Sequence, residues 1–165
     1  MISTLLAEYP WLARGGVGVA LVVAPFVAGW LLPRQRVAWA LAYLSAAAIA
    51  GLTLLPDGTR TVAGCELPVA VADLLGVEPL ANVVLFLPLA LALTAATGRP
   101  LPAFLVGLGA SAAIELVQWA VPAIGRSCTS TDFVANTVGA ALGAALAALG
   151  LLIARRRARP ATHRR

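Results

Sequence analysis

Charge is what this sequence has least of. Only 12% of its 165 residues are Asp, Glu, Lys or Arg, lysine is absent altogether, and aromatic residues make up 6%. Reactive side chains are equally scarce: one histidine, His163, and two cysteines, Cys65 and Cys128. No apolar stretch contains a histidine, so a Ser–His nucleophile and a histidine-based metal site both lack their central group. Neither a P-loop nor a dinucleotide-binding fingerprint is present, and no motif implies a cofactor.

What fills the chain instead is hydrocarbon. Hydrophobic residues account for 61%, and the mean hydropathy is +0.91. A soluble domain of this size has too much surface for its volume to hide so many apolar groups. The apolar residues also fall in blocks that approach the roughly 20 residues needed to cross a bilayer. The fold class expected is therefore all-α: a polytopic transmembrane helix bundle of about five spans.

Charge and proline bound the blocks. The expected spans are Gly15 to Leu32, Val37 to Leu55, Pro79 to Thr97, Pro100 to Val121 and Phe133 to Ala154, with Pro25 and Pro88 as kink points. Residues 1–14, with Leu5, Leu6, Tyr9 and Trp11, read as an interfacial segment, residues 15–154 as the bundle, and residues 155–165 as a basic cytoplasmic tail. The first block lacks a basic start and a small-residue cleavage site, which reads against a cleaved leader.

Arginine distribution orients the bundle. Arg34 and Arg36 follow the first span, Arg99 follows the third, and Arg155, Arg156, Arg157, Arg159, Arg164 and Arg165 follow the fifth, which places nine of the 12 basic residues on one side. The positive-inside rule then sets the N-terminus outside and the C-terminus inside. The pI of 10.6 does not argue for nucleic acid, because arginines directly after a span hold topology and touch anionic lipid. With this orientation Cys65 and Cys128 both lie on the oxidising side, where a disulfide is permitted and two unpaired thiols are the alternative.

In so apolar a chain, the polar residues inside the spans carry the information. Ser111, Glu115 and Gln118 recur at helical spacing and share one face, as do Asp132, Asn136, Gly139 and Gly143. Gly139 and Gly143 form a GxxxG pair suited to close helix packing. Asn82 stands at the corresponding end of the third span, and Arg126 in the short loop before the fifth. A structural reading pairs Glu115 with Arg126, lets Thr131, Ser130 or Asp132 cap a helix, and treats the amides as interhelical glue. A functional reading has Asn82, Ser111, Glu115, Gln118, Arg126, Asp132 and Asn136 line an outer-leaflet cavity for a polar head group: phosphate, sugar or peptide.

The run Asn82-Val83-Val84-Leu85-Phe86-Leu87-Pro88-Leu89, the helix Ser111 to Gln118, then Gly125-Arg126, Thr131-Asp132 and Asn136-Thr137-Val138-Gly139 resemble the VanZ-like family over residues 80–150. Ala90 replaces a glycine usual in that pattern. The resemblance implies a small bacterial multi-helix membrane protein whose namesake is associated with resistance to the glycopeptide teicoplanin. Two functions follow as expectations. One is a protein that binds a lipid-linked cell-wall precursor or other envelope lipid at the outer leaflet and alters glycopeptide access. The other is a membrane enzyme acting on such a lipid with Glu115 or Asp132 as acid or base. A transporter is disfavoured because five spans show no inverted repeat, although oligomerisation would supply a pathway. The expected location is the bacterial cytoplasmic membrane, the lysine-free, alanine- and arginine-rich composition fitting a GC-rich genome.

Overall fold

A computed structural model describes Tyr9 and residues 11–56, 64–67 and 73–158. Five helices in it are long and apolar enough to cross a membrane: α1 (Trp11–Leu31), α2 (Gln35–Leu54), α3 (Val77–Thr97), α4 (Pro100–Ala120) and α5 (Ser130–Ala158). The only strands among the described residues are β1 (Cys65–Glu66) and β2 (Cys128–Thr129), which pair in parallel with Cys65 opposite Cys128 and Glu66 opposite Thr129.

The helix limits differ from the hydropathy blocks in the direction physics favours. α1 begins at Trp11, so Arg14 is carried in its opening turns; the remainder of the expected interfacial segment, apart from Tyr9, lies outside the described residues. α5 begins at Ser130 and continues through Arg155–Arg157 to Ala158. Arginines suit a helix C-terminus and extend their heads toward the interface. The rest of the expected tail, with Arg159, His163, Arg164 and Arg165, lies outside the described residues. α1 and α3 run through Pro25 and Pro88 without interruption.

Helix α3 is the hub. It packs against every other helix, most extensively against α5, while α1 rests on α3 and α5, α2 on α3, and α4 on α3 and α5. Chain direction makes α1, α3 and α5 parallel to one another, with α2 and α4 opposed. Lipid offers no hydrophobic incentive for helices to associate, so contact depends on close backbone approach and interhelical hydrogen bonds. The buried residues are small accordingly: Ala28, Ala38, Ala90, Ala140 and Ala147 are all fully enclosed. A Cβ on Gly139 would collide with the Val83 carbonyl, one on Gly143 with the Leu87 carbonyl, and one on Gly150 with the Pro25 carbonyl. The glycines of α5 thus seat α3 on one side and α1 on the other.

The bundle has two chemically different ends. At one, Trp30 and Trp39 accompany Arg34, Arg36, Arg99 and Arg155; at the other, Trp11 and Trp119 accompany the strands and the polar residues. Trp11 and Trp30 are 19 residues apart on α1, about 28 Å at the helical rise, close to the roughly 30 Å hydrocarbon thickness that interfacial tryptophans bracket. All five described acids, Glu66, Asp73, Glu78, Glu115 and Asp132, lie toward the strand end.

Candidate functional site

At the strand end a sharp connection forces α4 and α5 together. After α4, Pro122–Ile124 form a 3-10 turn ended by Gly125 in the left-handed region (φ 78°). The chain then runs through Arg126 and Ser127 into β2, where Cys128 is joined by a disulfide to Cys65 (Cα–Cα 4.6 Å). β2 is thereby pinned to the α2–α3 connection, and Thr129 follows it immediately.

Thr129 organises what lies beneath. Its backbone N–H donates to Glu115 Oε2 at 2.9 Å, while its hydroxyl oxygen accepts from the Asp132 N–H at 3.0 Å. The second contact is the side-chain half of a capping box: a Thr at N-cap satisfies the free N–H three residues on. The cap is therefore Thr129, not the Ser130, Thr131 or Asp132 that sequence reasoning offered. The Asp132 carboxylate turns instead to α3, where Asn82 Nδ2 donates to it at 2.7 Å.

Two further interhelical bonds lie deeper or to the side. Asn136 Nδ2 donates to Ser111 Oγ at 3.1 Å, tying α5 to α4. Gln118 Nε2 donates to the Thr53 carbonyl at 3.0 Å, tying α4 to α2. The α4 face read from spacing is enclosed as a unit: Ser111 is 0% exposed, Glu115 8% and Gln118 7%, with Asn136 at 2% across from them. Asn82 and Asp132 are half-buried and Arg126 is exposed.

Glu115 Oε2 is held by the Thr129 N–H, a partner that the structural reading did not name. Arg126 acts electrostatically on Asp132, as does Glu78, and Glu115 lies in the field of Asp132. Asn82, Asp132, Thr129 and Glu115 thus form one connected chain across α3, α5 and α4. Ser111 with Asn136 forms a second link between α4 and α5, and Gln118 diverges toward α2. Thr53 and the Thr129 N–H were missed because they participate as backbone atoms, although the side-chain role of Thr129 follows from Thr129-x-x-Asp132, a legible capping signature.

The direction of the amides decides what this site can offer. Gln118 and Asn82 must present NH2 to their partners, a carbonyl and a carboxylate, neither of which can donate. Their oxygens consequently face elsewhere. Among the described residues, Gln118 Oε1 and Asn136 Oδ1 are buried acceptors with no hydrogen-bond partner. Together with two carboxylates they make an acceptor-rich cluster, complementary to hydroxyls, amines or peptide N–H groups. Among the described residues no three of His, Cys, Asp and Glu are grouped to hold a metal ion.

Two cavities lie away from this network. A crevice of about 610 Å³ opens between α1 and α2 over α3, lined by Trp11, Val19, Val23, Ser45, Leu87 and Leu91 among others. Leu91 is nine residues from Asn82, about two and a half turns, so the crevice occupies the opposite face of α3 from the polar network. The second, about 370 Å³, lies at the arginine-rich end between α2, α3 and α4.

Residues 27–153, about three quarters of the chain, match the VanZ/LLP1 family. The match reaches well before the 80–150 region carrying the motifs and takes in α2 and the end of α1. No curated protein and no solved structure is similar to the chain.

Proposed function

The chain belongs to the VanZ/LLP1 family, and from that premise we propose that it binds the polar head group of a lipid-linked cell-envelope molecule in the Asn82–Asp132–Thr129–Glu115 network. The disulfide end faces the outside of a bacterial cytoplasmic membrane, with the arginine-rich end inside; the arginine bias and the oxidised cysteine pair support that orientation together. Occupying an envelope precursor there alters the access of glycopeptides such as teicoplanin.

One observation carries this reading: Asn136 Oδ1 and Gln118 Oε1, on the same two helices as Asp132 and Glu115, lie buried without donors among the described residues. A buried unpaired acceptor costs about 1–3 kcal/mol. A ligand that supplies hydroxyl or amine protons recovers that cost. One N–H of each of these amides is already committed and the unpaired buried atoms are acceptors, so the ligand feature favoured is a sugar or an amine-bearing peptide over a bare phosphate.

The test uses full-length protein in nanodiscs with fluorescent polyprenyl-linked aminosugar, and polyprenyl phosphate as the comparison. Wild type should retain the sugar-bearing lipid selectively, and Asn136→Leu should lose that selectivity. Equal retention of both lipids by wild type would overturn the proposal. Growth in teicoplanin then reports the cellular consequence.

A second reading, an enzyme acting on the same lipid, is favoured by one feature: Glu115 and Asp132 are two carboxylates connected through a single residue. Glu115→Gln separates the readings, because it retains an acceptor for the Thr129 N–H but removes the acid. An enzyme loses turnover of labelled lipid; a binder keeps its ligand and forms no product.

A further inference from the structure

The arginine-rich end contains a site of its own. The cavity of about 370 Å³ there is lined by Trp39 from α2, Leu93 and Thr97 from α3, Arg99 from the connecting turn, and Ala103 and Val106 from α4. Its lining is apolar apart from Thr97 and the cationic Arg99. That is the polarity of one acyl chain with its head group, in a protein whose surroundings are hydrocarbon. The larger crevice on α1 and α2 lacks any charged lining residue and fits hydrocarbon alone.

The turn that presents Arg99 is rigidly made. Gly98 adopts φ 69° and its N–H returns to the Thr94 carbonyl, closing α3. The Arg99 N–H is then taken by Thr97 Oγ1 at 3.2 Å. Arg155 from α5 reaches the same turn, its guanidinium 3.4 Å from where a Cβ on Gly98 would stand. Arg155 from α5 thus stands at the left-handed glycine that immediately precedes Arg99, the arginine that lines the cavity. Arg34, by contrast, is engaged locally, stacked 4.4 Å above the Trp30 ring and donating to the Trp30 carbonyl.

Charge at this end has no internal counterpart. Every described Asp and Glu sits toward the strand end, so among the described residues Arg99 and Arg155 have no carboxylate to meet. An anion from outside the protein has to neutralise them, and a phosphodiester is the one that a membrane interface supplies.

We propose that this cavity is a binding site for an anionic phospholipid, its phosphate held by Arg99 and Arg155 and one acyl chain lying between Trp39, Leu93, Ala103 and Val106. The site is independent of the head-group reading at the opposite end. It fastens α2, α3 and α4 together where α2 and α4 touch each other little.

Trp39 provides the readout. In full-length protein carrying Trp11→Phe, Trp30→Phe and Trp119→Phe, Trp39 is the sole remaining tryptophan of the original four. The protein is reconstituted in phosphatidylcholine vesicles containing a minor fraction of either dibrominated phosphatidylglycerol or dibrominated phosphatidylcholine. Dibrominated phosphatidylglycerol should quench Trp39 beyond its mole fraction. Arg99→Gln should lower that preference about fivefold, the worth of one arginine near a charged lipid, while Arg99→Lys retains most of it. Val106→Phe fills the cavity without adding a second tryptophan and should also abolish the preference. Equal quenching by the two lipids, or a preference lowered as much by Arg36→Gln as by Arg99→Gln, would overturn the site in favour of diffuse surface attraction.

Discussion

Glu115 and Thr129, on opposite sides of the α4–α5 connection, are joined by a hydrogen bond from the Thr129 backbone N–H to the Glu115 carboxylate at 2.9 Å. Because β2 is fixed to β1 by the Cys65–Cys128 disulfide, this bond transmits the position of an exposed strand to a buried acid. Glu115→Ala removes the acceptor and leaves an enclosed N–H unpaired, which should destabilise the protein by about 1–3 kcal/mol. Glu115→Gln preserves an acceptor and should melt within about 1 kcal/mol of wild type. Thermal unfolding in detergent measures both. Equal melting of the Ala and wild-type proteins would show that Glu115 contributes nothing to that connection.

Removing the disulfide tests the same connection from outside. The bridge spans 63 residues, for which loop-closure entropy gives an upper stabilisation of about 4 kcal/mol in a free chain. Here the helices remain threaded through lipid, so the unfolded state is already confined and the gain is smaller. Cys65→Ser with Cys128→Ser should lower the melting temperature and increase exchange at the Thr129 amide. After reduction in intact cells, both thiols should react with a membrane-impermeant maleimide. Labelling only after the membrane is opened would invert the proposed topology.

Much of this architecture is legible in hydropathy because lipid imposes a simple length rule on any apolar helix. The ends are less so. Arg14 and Arg155–Arg157 mark the limits of apolar runs, yet the helices continue past them, since a backbone hydrogen-bond ladder is indifferent to side chains that can reach water. The shared face of Ser111, Glu115 and Gln118 follows from spacing alone, and all three are buried. Their separate destinations do not: Ser111 meets Asn136, Glu115 meets a backbone amide, and Gln118 meets a backbone carbonyl on α2. Backbone partners leave no residue-type signature, so a sequence names the polar group without naming what satisfies it. The parallel pairing of β1 and β2 is similarly invisible, being two residues long and fixed by a covalent bond between distant cysteines.

Glycine substitutions should discriminate sharply by position. A Cβ at Gly143 meets the backbone of Leu87 and Leu91, whereas one at Gly109 has nothing within 4 Å. Backbone at a helix contact cannot yield as a flexible side chain does. Gly143→Ala should therefore cost about 1–3 kcal/mol, as overpacking does elsewhere, and reduce the yield of folded protein. Gly109→Ala should express and melt like wild type. Comparable loss in both variants would mean that glycine is needed for helix flexibility and not for the α3–α5 approach.

The two roles of Thr129 can be separated because one belongs to its side chain and the other to its backbone. Thr129→Val deletes the oxygen that accepts the Asp132 N–H but keeps the N–H that Glu115 receives. Loss of such a cap costs about 1 kcal/mol and should fray the start of α5, loosening Asp132 from Asn82. Thr129→Pro deletes the N–H as well and strips Glu115 of its donor, and it should be clearly worse in both stability and head-group binding. Thr129→Ser keeps both contacts and should match wild type. If Val and Pro are equally harmful, the cap alone secures this corner, and the bond to Glu115 follows from the position of α5 instead of helping to set it.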